Sequence, residues 1–267
     1  MNPLLEEERP ESSFLEIVGE SPGLRRMLKL AIKVARKEAP VLILGEAGSG
    51  KELIARAIHR LSSRRNESFV KVNCATAMDG TLDSELFGHQ RGSAGTSRKV
   101  GQVELANNGI LFLDKIAHVP LDLQAKLLHL LEHREFERLG SAYSIPVNVR
   151  LIATTQYDLG ERVAEQTFRD DLYDQLNVFP IRVPPLRERR DDIPFLVRYF
   201  VQVFARRMNK HIEGIPPEAM SFLSTCAWPG NLRQLETLIE RAVAVTEGPE
   251  LQVPLARLQS ESGRETS

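Results

Sequence analysis

The sequence predicts an α/β fold: a three-layer αβα domain with a parallel central sheet, followed by a small all-α domain. Three observations carry this prediction. Short apolar strands alternate with amphipathic helices through the first two thirds of the chain. A glycine-rich loop of the phosphate-binding type stands directly between a strand and a helix. After residue 186, three helical stretches follow one another without an intervening strand.

The predicted strands are short, mostly apolar runs bounded by turn residues. The first, PVLILG, lies between Pro40 and Gly45 and has no polar position, which is typical of a strand buried on both faces of a parallel sheet. The others are SFVKVNC, GILFLD, VNVRLIATT and FPIRVPP. Strands of this kind, joined by helices, favour a sheet with helical crossovers.

The predicted helices show apolar residues at helical spacing. The first opens with Ser21 as N-cap and Pro22 at its first position. The later stretches are ELIARAIHRLSS, PLDLQAKLLHLLEHREF, IPFLVRYFVQVFARRMN, PPEAMSFLSTCA and NLRQLETLIERAVAV. We therefore predict an α/β domain over 15–186 and a helical domain over 187–250, with flexible tails at 1–14 and 251–267, where the composition is polar.

Composition narrows the function classes. The net charge of −1 over 267 residues does not indicate nucleic-acid binding by the chain as a whole. Two cysteines, Cys74 and Cys226, are too few for a disulfide framework, and their surroundings favour buried, inert thiols. The N-terminus is not of the secretory type, and no apolar run reaches the ~20 residues of a membrane helix. A cytoplasmic location is expected.

The loop between the first strand and the second helix carries the GxxxxGK pattern. Its glycines let successive backbone N–H groups point inward, the helix N-terminus adds partial positive charge, and the lysine can reach outer phosphates. The alternative is a glycine-rich turn with an incidental lysine, which the flanking strand and helix disfavour. The position after the lysine is Glu52, where Ser or Thr commonly helps to hold Mg²⁺. The loop residues are Gly45, Glu46, Ala47, Gly48, Ser49, Gly50 and Lys51.

A series of ordered blocks resembles the central domain of sigma-54-dependent transcriptional activators, a family of AAA+ ATPases. The blocks are IVGESPGLRRML, LILGEAGSGKELIARAIH, VKVNCA, SELFGH, GILFLD, LQAKLLHLLEHREFERLG, VNVRLIATT, FRDDLYDQLNVFPIRVPPLRERRDDI and WPGNLRQLETLIERAV. The resemblance covers about residues 15 to 245, and in that family a glutamate such as Glu52 is usual after the lysine. It implies a ring, commonly a hexamer, with ATP and Mg²⁺ bound between subunits. It also implies hydrolysis that remodels the sigma-54 RNA polymerase.

The resemblance also implies residue roles. Ile17, Val18 and Gly19 would flank the adenine, the loop through Glu52 would hold the triphosphate, and Asp114 would position Mg²⁺. Asn73 would restrain the catalytic glutamate, Thr155 and Gln156 would sense the γ-phosphate, Arg169 would reach a neighbouring subunit, and Arg233 would sense nucleotide from the lid. Each role has an alternative: Asp114 as a strand-end turn residue, Arg233 as a solvated charge, and Arg169 paired with Asp170 or Asp171.

The clearest departure from the family is Lys115, which follows Asp114 where the family has the catalytic glutamate. A protonated lysine offers donors and no acceptor, so it cannot serve as base unless its pKa is driven down. It could neutralise γ-phosphate charge, or pair with Asp114 and weaken Mg²⁺ binding. Alternatively Lys115 points to solvent and another acid, Glu46 or Glu85, takes over.

Two further departures concern the loop that contacts sigma-54 and an arginine that supplies charge to the phosphate of a neighbouring subunit. The segment GSAGTS at 92–97 stands where the family has its GAFTGA loop, which grips sigma-54, and it lacks the aromatic. Gln175 stands where the family has a second arginine.

Together these features favour an ATP-binding AAA+ domain that regulates transcription, with weak or no hydrolysis and impaired sigma-54 engagement. Its expected partners are other AAA+ subunits, with which it would form a homo- or hetero-oligomeric ring. Sigma-54 RNA polymerase or another activator is a further candidate partner. No helix-turn-helix follows the helical domain, so no DNA-binding domain is expected on this chain. One alternative is an active ATPase with a relocated base that remodels a partner protein. Another is an interaction module that has lost nucleotide.

Overall fold

The computed structural model of the chain describes residues 17–75, 81–90 and 99–253. Contacts divide the described chain into two compact units. The first comprises 29–45 and 51–182, and the second comprises 17–28, 46–50 and 183–253. The predicted tail at 1–14 lies outside the described residues, as does the tail at 251–267 from residue 254 onward.

The first unit is built on a five-stranded sheet. Its strands are β1 (Val41–Leu44), β2 (Phe69–Asn73), β5 (Ile110–Asp114), β8 (Arg150–Thr155) and β9 (Pro180–Arg182). Every pairing is parallel, and the order across the sheet is β2-β5-β8-β1-β9. Parallel strands need helical crossovers, and the apolar character of β5 and β8 follows from burial on both faces.

Helices flank this sheet along the chain. They are α2 (Lys51–Arg60), α3 (Thr81–Phe87), α4 (Gln102–Leu105), α5 (Leu121–His133), α6 (Leu159–Ala164) and α7 (Asp170–Leu176). Helix α1 (Pro22–Ala35) begins in the second unit and ends in the first. Leu111 and Leu113 of β5 pack with Leu127 of α5 and Leu172 of α7 in one fully buried cluster. The predicted α/β fold with a parallel sheet is therefore confirmed.

Two short antiparallel ribbons lie beside one another in the first unit. One joins β3 (Gly88–His89) to β4 (Lys99–Val100), and the other joins β6 (Glu135–Glu137) to β7 (Ser144–Pro146). Leu139 connects them, because its N–H donates to the Gly88 carbonyl and its carbonyl accepts from the Gln90 N–H, both at 3.1 Å. The GSAGTS segment that replaces the family's gripping loop lies outside the described residues.

The second unit contains the three helices that the sequence predicts after the sheet: α8 (Ile193–Arg207), α9 (Pro217–Thr225) and α10 (Asn231–Val245). Their apolar faces meet around fully buried Val197, Leu223 and Ile239. Trp228 joins this core with its indole N–H donated to the Leu223 carbonyl at 2.8 Å, which satisfies the polar end of a buried ring.

Both cysteines are free thiols. Burial, with the nearby carboxylates of Asp114 and Glu85, raises the pKa of the Cys74 thiol to about 12, and burial alone raises that of Cys226. The prediction of an inert thiol is confirmed for Cys74, while Cys226 is only half-buried. Within the described ranges, none of the helices combines the length and apolar character that crossing a bilayer would require.

Candidate functional site

Three of the polar residues named from the sequence, Asn73, Asp114 and Thr155, lie at the carboxyl edge of the sheet. Asn73 ends β2 and is in register with Asp114, which ends β5. Thr155 ends β8, and its carbonyl accepts the N–H of Gly45, the residue after β1, at 3.1 Å. Ligands of open parallel sheets bind outside this edge, so the strand order alone brings these positions together.

Thr154 is a site residue that the sequence did not single out. Its hydroxyl donates to Asp114 Oδ1 at 2.6 Å, and its Oγ1 accepts the backbone N–H of Lys115 at 3.1 Å. One threonine therefore fixes both the carboxylate and the turn that follows it. By contrast, the Thr155 hydroxyl is used locally, since it donates to the Tyr157 carbonyl at 3.0 Å, and the Gln156 side chain is exposed. Thr154 could have been identified from its position beside Asp114 on the neighbouring strand, but only if the order of the strands in the sheet had been known.

Lys115 occupies an unusual backbone conformation directly after Asp114. Its φ of 61° and ψ of 51° are left-handed, a region that few non-glycine residues adopt. The half-buried side chain forms no ion pair with Asp114 or any other carboxylate in the part of the chain that the structure describes. The proposed Lys115–Asp114 pair is thus not formed, and Asp114 Oδ2 keeps its capacity to accept.

The two charged residues that open α2 point to different partners. The Lys51 ammonium donates to the Gly45 carbonyl at 2.6 Å, so it lies at the start of the glycine-rich loop. The Glu52 carboxylate instead binds Lys71 of β2 at 2.5 Å and Arg56, one turn along the helix, at 2.7 Å. These two cations lower the pKa of Glu52 against the opposing effect of burial. Glu52 therefore ties the helix to the sheet.

Residues 46–50 of the glycine-rich loop belong to the second unit, where Glu46 is held at both oxygens. The Arg187 guanidinium donates to Oε1 at 2.6 Å and to Oε2 at 2.8 Å, a bidentate pair. Asn231, fully buried at the start of α10, donates to Oε2 at 2.9 Å and to the Ala47 carbonyl at 3.1 Å. Its own oxygen accepts the Leu186 N–H at 2.8 Å. A carboxylate bound in this way is poorly placed to accept a proton from water.

Gly48 packs against the beginning of α10. Its φ is +71°, and a Cβ at this position would stand 2.3 Å from the Gly230 carbonyl oxygen and 3.1 Å from Arg233 Cβ. The Arg233 N–H lies 3.4 Å from the Gly48 carbonyl oxygen. Arg233, the predicted lid arginine, is thus beside the loop, with an exposed side chain.

We expect Gly48→Ala to lower the melting temperature of the nucleotide-free protein, because a strained left-handed alanine costs ~1–3 kcal/mol before the clash with Gly230 is relieved. Differential scanning calorimetry measures the effect. Gly23→Ala is the matched control, since a Cβ there would meet only Pro184 at 3.8 Å in helical backbone. Equal melting temperatures for the two variants would contradict this account of Gly48.

The predicted adenine-flanking segment is Ile17, Val18 and Gly19. The residues that follow it bind a buried acid of the second unit, Asp192. Asp192 accepts from the Glu20 N–H at 2.6 Å, the Ser21 N–H at 2.8 Å and the Ser21 hydroxyl at 2.7 Å. A Cβ on Gly19 would approach the Asp192 carboxyl carbon to 2.5 Å. Glycine is therefore required for the segment to pass this close, and Asp192 fixes its path.

Arg169 lies in the first unit, at the N-cap of α7, and forms a surface pair. Its guanidinium donates to Asp171 at 2.6 and 3.0 Å, which was one of the alternatives that the sequence left open. The backbone N–H of Arg169 donates to Oε1 of Gln124 at 2.8 Å, and this fully buried amide also donates to the Val119 carbonyl at 2.7 Å. Gln124, which the sequence did not indicate, fixes the backbone from which Arg169 projects. Gln175 is exposed.

Comparison with known families identifies both parts of the chain. The sigma-54 interaction domain matches residues 17–182. The chain belongs to the sigma-54 interaction domain family. An AAA+ ATPase lid domain matches residues 187–266, directly after it. The family resemblance inferred from the sequence blocks is therefore confirmed.

Relatives of this sigma-54 interaction domain include much longer proteins. The formate hydrogenlyase transcriptional activator of Salmonella typhimurium is 51% identical over 247 residues, which is 92% of this chain and 36% of that protein. The regulatory protein AtoC of Escherichia coli is 49% identical over 236 residues, 87% of this chain and 51% of AtoC. The chain thus spans about a third to a half of the length of these relatives.

Solved structures of NtrX from Brucella abortus share the architecture of this sigma-54 interaction domain and lid. The structure in complex with ATP superposes with a TM-score of 0.87 at 40% identity, covering 97% of this chain and 57% of that one. The structure in complex with ADP gives 0.83 at 42% identity, covering 91% and 55%.

Proposed function

We propose that the chain is an ATP-binding AAA+ domain of the sigma-54-activator type that regulates transcription and hydrolyses ATP weakly or not at all. The glycine-rich loop from Gly45 to Glu52 supplies the phosphate contacts, and Asp114 supplies the Mg²⁺ contact. The observation that carries the proposal is the contrast at the site. In the first unit, Lys51 and Asp114 are each held by hydrogen bonds, whereas Lys115, the residue after Asp114, forms no ion pair with any residue that the structure describes.

Several features of the residues fit ATP and Mg²⁺. Gly48 and Gly50 have positive φ, which lets the loop curl, and the Ser49 hydroxyl is buried without a hydrogen-bond partner among the residues described. Mg²⁺ is commonly held by one or two carboxylates together with phosphate oxygens, and Asp114 Oδ2 can provide one such ligand. Bound ATP would supply a γ-phosphoryl group, and its transfer to water, with ADP as the leaving group, needs an oriented water.

Weak hydrolysis follows from what Lys115 lacks. The family's glutamate accepts from and orients water, whereas an ammonium only donates. Losing a general acid–base group typically costs ~10²–10⁴-fold in rate. Lys115 instead adds a positive charge beside Asp114, and this charge favours binding of the anionic phosphates of ATP. Exposed Gln175 cannot supply the second arginine charge that the family carries.

We expect Lys51→Ala to weaken ATP binding by about 10- to 100-fold, the effect of losing a charge-assisted hydrogen bond to phosphate. Isothermal titration calorimetry with Mg-ATP measures the affinity. Lys33→Ala, an exposed lysine on α1, is the control and should bind like the unmodified chain. Unchanged affinity in Lys51→Ala would reject the glycine-rich loop as the phosphate site. No ATP binding by the unmodified chain would reject the proposal in favour of an interaction module.

A second candidate is an active ATPase with Glu85 as the relocated base, acting on a partner protein. Glu85 is half-buried, and its carboxylate makes no hydrogen bond or ion pair with any residue that the structure describes. With Asp114 it raises the pKa of Cys74, where burial is the larger cause. It is better suited than Glu46, whose oxygens bind Arg187 and Asn231. ATP hydrolysis that is lost in Glu85→Gln but persists in Lys115→Ala would favour this candidate.

The proposed partners are inferred from the family and from its two altered features, the segment at 92–97 and Gln175. We propose that the chain assembles with AAA+ subunits, its own or those of an intact homologue, and contacts sigma-54 RNA polymerase weakly or through such a partner. A ligand at a subunit interface favours the assembled state, so ATP should promote assembly. Analytical ultracentrifugation with and without ATP, alone and with an intact homologue, tests this. A monomer under every condition would count against assembly.

A further inference from the structure

Arg189 is a buried cation of the second unit with few partners. Its side chain is 3% exposed, and the described residues provide one hydrogen bond, from Nη2 to the Ser49 carbonyl oxygen at 3.3 Å. Its Nε is buried and finds no acceptor among the residues that the structure describes. A guanidinium has five N–H donors and stays protonated in proteins, so most of this capacity is unused. Burial lowers the pKa of Arg189, and Asp192 opposes that effect.

Asp192, the acid that raises the pKa of Arg189, forms its own hydrogen bonds with other residues. Asp192 uses both carboxylate oxygens on Glu20 and Ser21, and no ion pair joins it to the Arg189 guanidinium in the described chain. Breaking or omitting the partner of a buried charge is costly in folding. A buried arginine without an ion pair in the described chain therefore indicates that a bound anion supplies its counter-charge.

The contact that Arg189 does make leads to the phosphate loop. Ser49 is 2% exposed, accepts Arg189 through its carbonyl, and carries a hydroxyl that is itself buried without a partner in the ranges described. Ser49 thus carries one buried polar atom without a partner among the described residues, and it contacts a guanidinium that carries another. Arg187 and Asn231 hold the same loop at Glu46, so its backbone is fixed on this side.

We propose that Arg189 is a charge-bearing positioning residue for the nucleotide phosphates. It holds the Ser49 peptide, and its uncompensated charge raises the affinity of the loop for a polyphosphate. The inference rests on the proposed function, since it needs the loop to bind ATP. The positive charge matters more than the forked geometry of the guanidinium, because the described residues provide an acceptor for one of its donors.

The test compares ATP affinity in Arg189→Met, Arg189→Lys and the neighbouring Arg190→Met, whose arginine is exposed. We expect Arg189→Met to weaken ATP binding by about 10- to 100-fold, the effect of one charge at an effective dielectric of ~20, measured by titration calorimetry. Arg189→Lys should stay within about threefold of the unmodified chain, because the charge is kept. Arg190→Met should not change affinity.

Melting temperatures of the nucleotide-free variants separate charge from structure. Replacing a buried, unpaired charge by an apolar side chain is often neutral or stabilising, so we expect Arg189→Met to melt no lower than the unmodified protein. Arg189→Gln is the second neutral variant if Arg189→Met does not fold. Unchanged ATP affinity in the neutral variants, or loss in Arg189→Lys equal to that in Arg189→Met, would overturn the inference. If the unmodified chain binds no ATP, the proposed function fails instead.

Discussion

Lys115→Glu is expected to raise steady-state ATP hydrolysis by about 100-fold or more, the contribution of a restored general base. The backbone already supports the change: Lys115 is held in its left-handed turn by the bond from its N–H to Thr154, whatever its side chain. Lysine and glutamate are both unbranched at Cβ, so the substitution adds no new backbone strain. Phosphate release with Mg-ATP measures the gain.

Lys115→Ala is the control for this result. It removes the positive charge without supplying an acceptor, so hydrolysis should stay near the unmodified rate. A gain in the alanine variant equal to that in Lys115→Glu would show that the lysine charge, not the missing carboxylate, limits the rate. No gain in Lys115→Glu would indicate that Gln175 also limits the rate of ATP hydrolysis. The double variant Lys115→Glu with Gln175→Arg tests this.

Arg150→Ala is expected to lower the free energy of unfolding by about 3–5 kcal/mol, the largest stability effect in the first unit. Arg150 is 1% exposed, and it donates to the Ala35 carbonyl at 2.9 Å and to the Val34 carbonyl at 2.8 Å. Its guanidinium thereby caps the C-terminus of α1 from the start of β8, where the helix dipole favours a cation. Burial lowers its pKa to about 10, so it remains charged at neutral pH.

Alanine at this position removes the Arg150 donors from the Ala35 and Val34 carbonyls, of which Val34 keeps the Lys37 N–H at 2.9 Å, and it leaves a cavity where the side chain was. Arg150→Met keeps most of the volume and loses the hydrogen bonds and the charge, so its loss should be smaller, about 1–3 kcal/mol. Urea unfolding of both variants, beside Arg65→Ala on the exposed surface, separates the two contributions. A change under 1 kcal/mol in Arg150→Ala would contradict the capping role.

Local patterns were enough to predict the fold. The apolar run from Ile110 to Leu113 indicates a strand buried on both faces, and the alternation with helices indicates parallel pairing. The glycine-rich loop was predictable because its flanking strand and helix are contiguous with it. Both signals lie within short windows, where the chemistry of neighbouring residues decides the backbone.

The parts of the site that sequence reasoning missed depend on residues far apart in the chain. Arg187 is 141 positions from the Glu46 that it binds, and Thr154 is 40 positions from Asp114. No window of periodicity or composition reports such pairs. The left-handed turn at Lys115 was also unforeseen, because it depends on the Thr154 hydroxyl as acceptor for its N–H.

The measurement that tests the central claim most directly is ATP affinity and steady-state phosphate release on one sample, at high protein concentration with Mg-ATP. We predict saturable ATP binding with phosphate release at or near the uncatalysed background. Clear phosphate release from the unmodified chain that disappears in Lys51→Ala would contradict the claim and show that Lys115 is compatible with turnover.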